Sequence, residues 1–226
     1  SGAAVADINN DGDLDAVFFT ATNAEILWFE NNSGVFENVS NLVGQVSAQN
    51  VPKDLVVFDF DGDDDNDIIS SDGSSLTFFA NTGQGFFPGE ISIGTVDDVI
   101  TKVLSVDMDS DNLQDVVFTT DHEIYWMRNT GEGVFSAPIL LSEWHADIRY
   151  IDAGDIDGDG VIDIVCADVA LDRLSWFSSI IVGCTSPEAC NYLESAEEDD
   201  GSCCFGSCGC TNLSAFNYSP GADCDD

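Results

Sequence analysis

Four times along the chain a dense polar stretch gives way to a short apolar run. The runs are Ala16-Val17-Phe18-Phe19, Ile68-Ile69, Val116-Val117-Phe118 and Ile164-Val165-Cys166. Their β-branched and aromatic content reads as strand. A second run follows each after a short polar gap: Ile26-Leu27-Trp28-Phe29, Leu76-Thr77-Phe78-Phe79, Ile124-Tyr125-Trp126-Met127 and Leu174-Ser175-Trp176-Phe177. In the first three units this run leads to Asn31, Asn81 or Asn129, then to a Gly-containing turn, then to Phe36, Phe86 or Phe135. Such an order marks a hairpin, because Asn and Gly supply the positive φ that tight connections demand. A further strand precedes each polar stretch, clearest at Asp54-Leu55-Val56-Val57-Phe58 and Lys102-Val103-Leu104-Ser105-Val106. Each unit is therefore expected to hold four short strands, with the polar stretch joining the first to the second.

The polar stretches are nonamers of one design. They begin at Asp7, Asp59, Asp107 and Asp155, so a unit of about 48 to 52 residues recurs four times. Four-stranded units of that length predict an all-β chain, a partial β-propeller of four blades over residues 1–182, whose edges are covered by radial packing. Trp28, Phe78, Trp126 and Trp176 occupy equivalent positions and are expected in blade-to-blade core. Trp144 and His145 fall outside the equivalence and read as a surface loop.

Charge sharpens this picture. The 226 residues carry 43 Asp plus Glu against 5 Lys plus Arg, a formal net charge of −38. That excludes a nucleic-acid binder, which needs basic patches to neutralise phosphate, and it opposes an anionic membrane surface. With 44% apolar residues the chain still has the material for a core. No apolar run is long enough for a transmembrane helix, and the start lacks the pattern of a signal peptide.

Carboxylates crowded into nine residues need a counter-ion, since two unit charges about 4 Å apart repel by roughly 4 kcal/mol at an effective dielectric near 20. Calcium suits such a loop because it takes 6 to 8 oxygens in flexible geometry, whereas magnesium demands a stricter octahedron. By analogy with the EF-hand loop, positions 1, 3 and 5 offer side-chain oxygens and position 7 a backbone carbonyl, here with a closing carboxylate at position 9. The candidate ligands, for up to four calcium ions, are Asp7, Asn9, Asp11, Asp13 and Asp15; Asp59, Asp61, Asp63, Asp65 and Asp67; Asp107, Asp109, Asp111, Leu113 and Asp115; and Asp155, Asp157, Asp159, Val161 and Asp163. Leu113 and Val161 have only a C=O to give. The EF-hand itself is disfavoured, because strands rather than helices flank every loop.

The nonamers with their trailing Trp-Phe and Asn-x-Gly hairpins resemble the FG-GAP or VCBS repeats of integrin α-subunit propellers and of many secreted bacterial proteins. The resemblance covers about residues 1–182. It implies a calcium-binding propeller, commonly seven-bladed, with metal loops on one face and a ligand surface on the opposite face. Departures are Asn9 at position 3, Asp64 and Asn112 where Gly is usual at position 6, and the absence of Phe-Gly/Gly-Ala-Pro lettering. Asp and Asn enter the left-handed region more easily than most residues, which accommodates the two at position 6. Four units are fewer than the usual ring, so upstream blades of the same chain are an expected partner.

Composition shifts at Gly183. Seven of the eight Cys lie beyond it, and Gly183-Cys184-Thr185 returns as Gly209-Cys210-Thr211. A short Cys-dense module at 183–226 predicts disulfides, three of them with one unpaired thiol, and hence an extracellular or cell-surface location. Zinc is the alternative, weakened because no His follows His145. The tail resembles a short repeat of secreted marine bacterial proteins. Cys166, inside an apolar run, reads as a small buried hydrophobe.

No nucleophile elbow or His-bearing metal motif is present, and Lys53, Lys102, Arg128, Arg149 and Arg173 are scattered. The expected function is a non-catalytic scaffold for adhesion to, or recognition of, a protein or glycan ligand. The alternative is the propeller portion of a carbohydrate-active enzyme, a polysaccharide lyase or hydrolase.

Overall fold

Alternation with period two places neighbouring residues of a strand on opposite faces of a sheet, and Ile68 and Ile69 illustrate it. Both are fully buried, yet they enter different clusters of the core. The computed structural model describes residues 2–20, 22–46, 52–143, 145–177, 182–189, 192, 198–199 and 203–206. Among these there is no helix.

The first repeat comprises β1 (Ala3–Ala6), β2 (Asp15–Phe19), β3 (Glu25–Phe29), the small hairpin β4 (Asn31–Asn32) and β5 (Val35–Phe36), and β6 (Asn41–Gln45). The second holds β7 (Leu55–Phe58), β8 (Asp67–Asp72), β9 (Ser75–Phe79) and β10 (Ile91–Thr95). The third holds β11 (Lys102–Val106), β12 (Asp115–Thr119), β13 (Ile124–Met127) and β14 (Ile139–Ser142), and the fourth β15 (Ile148–Gly154), β16 (Asp163–Asp168) and β17 (Arg173–Phe177). Each repeat forms its own antiparallel meander, in the orders β1-β2-β3-β6, β7-β8-β9-β10, β11-β12-β13-β14 and β15-β16-β17. In the fourth, three strands lie among the described residues.

First strands of successive repeats run side by side: β1 by β7, β7 by β11, β11 by β15. The core fills the layers between consecutive sheets. Ile8, Val17, Ile26 and Trp28 meet Leu55, Ile68 and Phe79 of the next repeat. Phe60, Ile69 and Phe78 meet Val103, Val116, Phe118 and Met127, and Val106, Val117 and Ile124 meet Ile148, Ile164 and Cys166. Cys166 is buried and free, as its apolar strand implies.

Close approach between sheets depends on glycine. Gly133, at φ +68°, lies so near Phe78 of the preceding repeat that an added Cβ would sit 2.8 Å from the ring, and Gly85 covers Trp28 in the same way. Trp28 and Phe78 are accordingly 4% and 3% exposed. Trp176 departs from the expected core role at 47% exposure. The turn also corrects one sequence equivalence. Phe86 is exposed and Phe87 packs into the core, because the second and third turns are one residue longer than the first.

His145 is a second correction. It is buried, not on a surface loop: its Nε2 lies 3.1 Å from Ser142 Oγ and its ring meets Phe177 edge-on. Trp144 lies outside the described residues.

By internal contacts the chain divides into two compact units, residues 1–156 with 162–177 and residues 157–161 with 178–226. In the second, β18 (Val182–Gly183) pairs in parallel with β19 (Glu198–Asp199). Cys184 and Cys203 form a disulfide, and Cys204 is also disulfide-bonded. The remaining tail cysteines, on which the expected total of three bridges rests, lie outside the described residues.

Candidate metal centre

The nonamers fold by one hydrogen-bonding scheme. Position 1 accepts the amides of positions 5 and 6: Asp7 from Asp11 and Gly12, Asp59 from Asp63 and Asp64, Asp107 from Asp111 and Asn112, at 2.9–3.2 Å. Positive φ at position 6 turns those amides inward, at Gly12, Asp64, Asn112 and Gly160. Position 4 is also left-handed in all four loops, at Asn10, Gly62, Ser110 and Gly158, a requirement the sequence reading did not single out. Position 5 closes an Asx turn onto the amide of position 7, as from Asp65 to Asp63 at 3.0 Å and from Leu113 to Asp111 at 2.9 Å.

Position 9 opens the second strand and is fully buried as Asp15, Asp67, Asp115 and Asp163. One carboxylate oxygen accepts the amide of position 2, from Ile8, Phe60, Met108 or Ile156, at 2.8–3.2 Å. The other accepts the amide of the hairpin Asn, from Asn31, Asn81 or Asn129, at 2.7–2.8 Å.

These Asn residues are more than turn formers. Asn81 Nδ2 donates to Asn66 O in its own loop and to Ile8 O in the preceding one, while its Oδ1 accepts Gly83 N–H. Asn129 repeats the pattern with Gln114 O, Phe60 O and Gly131. Each thus ties two acidic loops together from a fully buried position. The signal was present in the strict recurrence of Asn after the second apolar run, although a hairpin alone accounted for it.

The carboxylates of positions 1, 3 and 9 converge. Asp59, Asp61 and Asp67, then Asp107, Asp109 and Asp115, then Asp155, Asp157 and Asp163 each bring ligand atoms within 4.8 Å of one another. In the first loop position 3 is Asn9, whose Nδ2 donates to Asp11. The side chains of position 7 face elsewhere: Asp13 accepts Ser33 N–H and Asp65 accepts Asn10 Nδ2.

Oxygens at position 3 test the fit of a cation. Oδ1 of Asp61 and Oδ1 of Asp109 are buried without a hydrogen-bond partner. Burial, then the neighbouring Asp63, raises Asp61 above the usual carboxylate range. Burial pushes Asp67 up to about 7 against the amides of Asn81 and Phe60, and Asp115 up to about 6, where Trp126 Nε1–H also holds it down. Unsatisfied, partly desolvated hard oxygens at short mutual distance match the donor set of a hard divalent cation.

The basic side chains do not gather into a second site. Lys102 pairs with Asp54 at 3.8 Å, Arg149 with Asp147 at 2.6 Å, and Arg128 with Asp109 and Asp111. Tyr125, hydrogen-bonded to Glu123, is pushed up to about 12 by burial and then by that carboxylate, which makes it a poor base near neutral pH. Ser142, His145 and Asp168 follow the order of a nucleophile, base and acid, but His145 Nδ1 stands 3.7 Å from Asp168 and is buried without a hydrogen bond. Asp168 instead accepts the amides of Ala146 and Leu171.

The FG-GAP-like repeat pattern matches residues 7–70 and 107–166, more than half of the chain, and these spans contain all four acidic loops. The chain belongs to the FG-GAP-like repeat family. Its fold is propeller-like and is shared with solved structures of low sequence identity. One is an Agrocybe aegerita lectin that recognises non-reducing terminal N-acetylglucosamine, with a TM-score of 0.57 and 19% identity over 77% of this chain and 51% of the lectin. Another is the Photorhabdus luminescens Tc holotoxin pore, with a TM-score of 0.50 and 17% identity over 77% of this chain and 9% of the toxin chain. This FG-GAP-like chain thus spans about half the length of the lectin. No curated protein matches it.

Proposed function

We propose that this FG-GAP-like chain is a calcium-binding propeller scaffold that works outside the cytosol and recognises a protein or glycan ligand without catalysing a reaction on it. The observation that carries the cation is the orphaned, buried position-3 oxygen beside the carboxylates of positions 1 and 9. Asp59, Asp61 and Asp67 hold an ion in the second loop, and their counterparts hold one in the third and fourth, with positions 5 and 7 completing each set. The first loop, with Asn9 in place of an acid, is the weakest. The Cys184–Cys203 disulfide supports an oxidising compartment. A glycan ligand is the first to screen, given the fold shared with a lectin.

Calcium titration of chelator-treated protein by calorimetry, paired with thermal melts, tests the cation. At a hundredfold excess over Kd each independent site adds about 2.7 kcal/mol, so calcium should raise the melting temperature by several degrees, and Asp61→Asn should remove about one ion. An unchanged melt in excess chelator would sink the reading. A glycan array probed with calcium-loaded protein tests recognition. Depolymerisation of a polysaccharide, lost on changing Lys53, Lys102 or Arg149, would overturn the non-catalytic part.

A further inference from the structure

The acidic loops share one backbone but not one charge balance. The second carries six carboxylates, Asp59, Asp61, Asp63, Asp64, Asp65 and Asp67, whereas the third carries Asp107, Asp109, Asp111 and Asp115. Into the third reaches Arg128: its Nε lies 2.5 Å from Asp109 Oδ2 and its Nη2 3.1 Å from Asp111 Oδ2. The arginine is anchored at its backbone, where its N–H donates to Ser136 Oγ at 2.9 Å and its carbonyl accepts Ser136 N–H at 2.8 Å. It stands immediately before the buried hub Asn129, a position held by Glu30 in the first repeat and Ala80 in the second. The ion pairs of Lys102 and Arg149 involve carboxylates outside the acidic loops.

We propose that Arg128 is a built-in counter-ion for the third loop, occupying the carboxylates of positions 3 and 5 and so lowering that loop's affinity for a divalent cation below that of the second. A guanidinium fixed across two carboxylates competes directly for the oxygens an ion needs. It also adds a positive charge beside the site. At about 5 Å from a divalent ion, even in a water-like dielectric, one such charge opposes binding on the order of tenfold. The repeats are thereby graded, the second loop filling at low calcium and the third only when calcium is abundant. This inference rests on the cation reading above and concerns its regulation.

A calcium titration of the full chain followed by amide NMR separates the two. The Asp65 amide, bound to Asp63, reports the second loop, and the Leu113 amide, bound to Asp111, reports the third. In the wild type the Leu113 midpoint should lie at least about tenfold above that of Asp65. Arg128→Ala should lower it by about tenfold, and Ala80→Arg should raise the Asp65 midpoint by a similar factor. If Asp65 does not respond to calcium in the wild type, the cation reading fails and takes the inference with it. If Asp65 responds but the Leu113 midpoint is unmoved by Arg128→Ala, the inference alone fails. Should that variant not fold, an unmoved Asp65 midpoint in Ala80→Arg overturns it equally.

Discussion

The second and third repeats share a backbone scheme yet compensate their buried acid differently. Asp67 and Asp115 each accept an amide from position 2 and another from the hub Asn. Asp115 gains a third donor, Trp126 Nε1 at 3.0 Å, where the second repeat has Phe78 and no N–H to offer. With Arg128 paired to Asp109 and Asp111 as well, the third loop has more of its negative charge balanced from within the chain. A repeat can therefore conserve its geometry while two side chains on the neighbouring strand reset its electrostatics.

The largest expected effect concerns what covers each repeat. Phe78, enclosed by Gly133 and stacked edge-on with Phe60 and Phe135, should cost about 3–5 kcal/mol when changed to Ala. The same change at Trp176, half exposed in the fourth repeat, should cost about 1 kcal/mol or less. Urea melts of the two variants measure the contrast, and equal losses would mean that packing against the following repeat is not what buries the aromatic stripe.

Next come the Asn hubs, where the second and third repeats should behave alike. Asn81→Ala and Asn129→Ala each strip partners from buried backbone groups of two loops, at a cost of about 2–4 kcal/mol. Similar losses in denaturant melts support a shared framework beneath different charges. A difference above about 2 kcal/mol would break that comparison.

The smallest effect is in proton binding. In chelator, Asp67 and Asp115 have folded values of about 7 and about 6 against an ordinary 3.8, so the folded state binds more protons than the unfolded chain in between. Stability from these groups is present below the unfolded value and lost as pH rises through the folded one. The chelated protein should therefore melt progressively lower from about pH 4 to about pH 7, and calcium should flatten that slope. Trp126→Phe removes the extra donor and should move Asp115 upward toward the value of Asp67, as read by carboxyl NMR titration. An unmoved Asp115 would show that the indole contact does not set the difference.

Much of this was legible in the chain. The nonamer spacing fixed the repeat, and the apolar runs gave the strands that flank every loop. Family membership followed from residues such as Asp59, Asp61 and Asp67 at positions 1, 3 and 9. What escaped was a backbone torsion that no single residue type marks, and contacts made with a neighbouring repeat. The left-handed position 4 was hidden because Asn10 and Ser110 stand where Gly62 and Gly158 do. His145 read as surface because the reach of Ser142 and Phe177 toward it is invisible in a linear pattern.

Local chemistry is determined within a few residues, and so the sequence alone settled the all-β repeat and the acidic loops in which carboxylates of positions 1, 3 and 9 converge. Tertiary structure decided how those loops are joined and how they differ. Asn81 reaches Ile8 across 73 residues, Asn129 reaches Phe60 across 69, and Gly133 closes over Phe78 from the next sheet. Arg128 enters the third loop from the far end of β13. The recurrence of Asn marks the hub position but not its partners, because the packing of successive sheets sets which side chains meet, and a periodic sequence specifies only that they will pack.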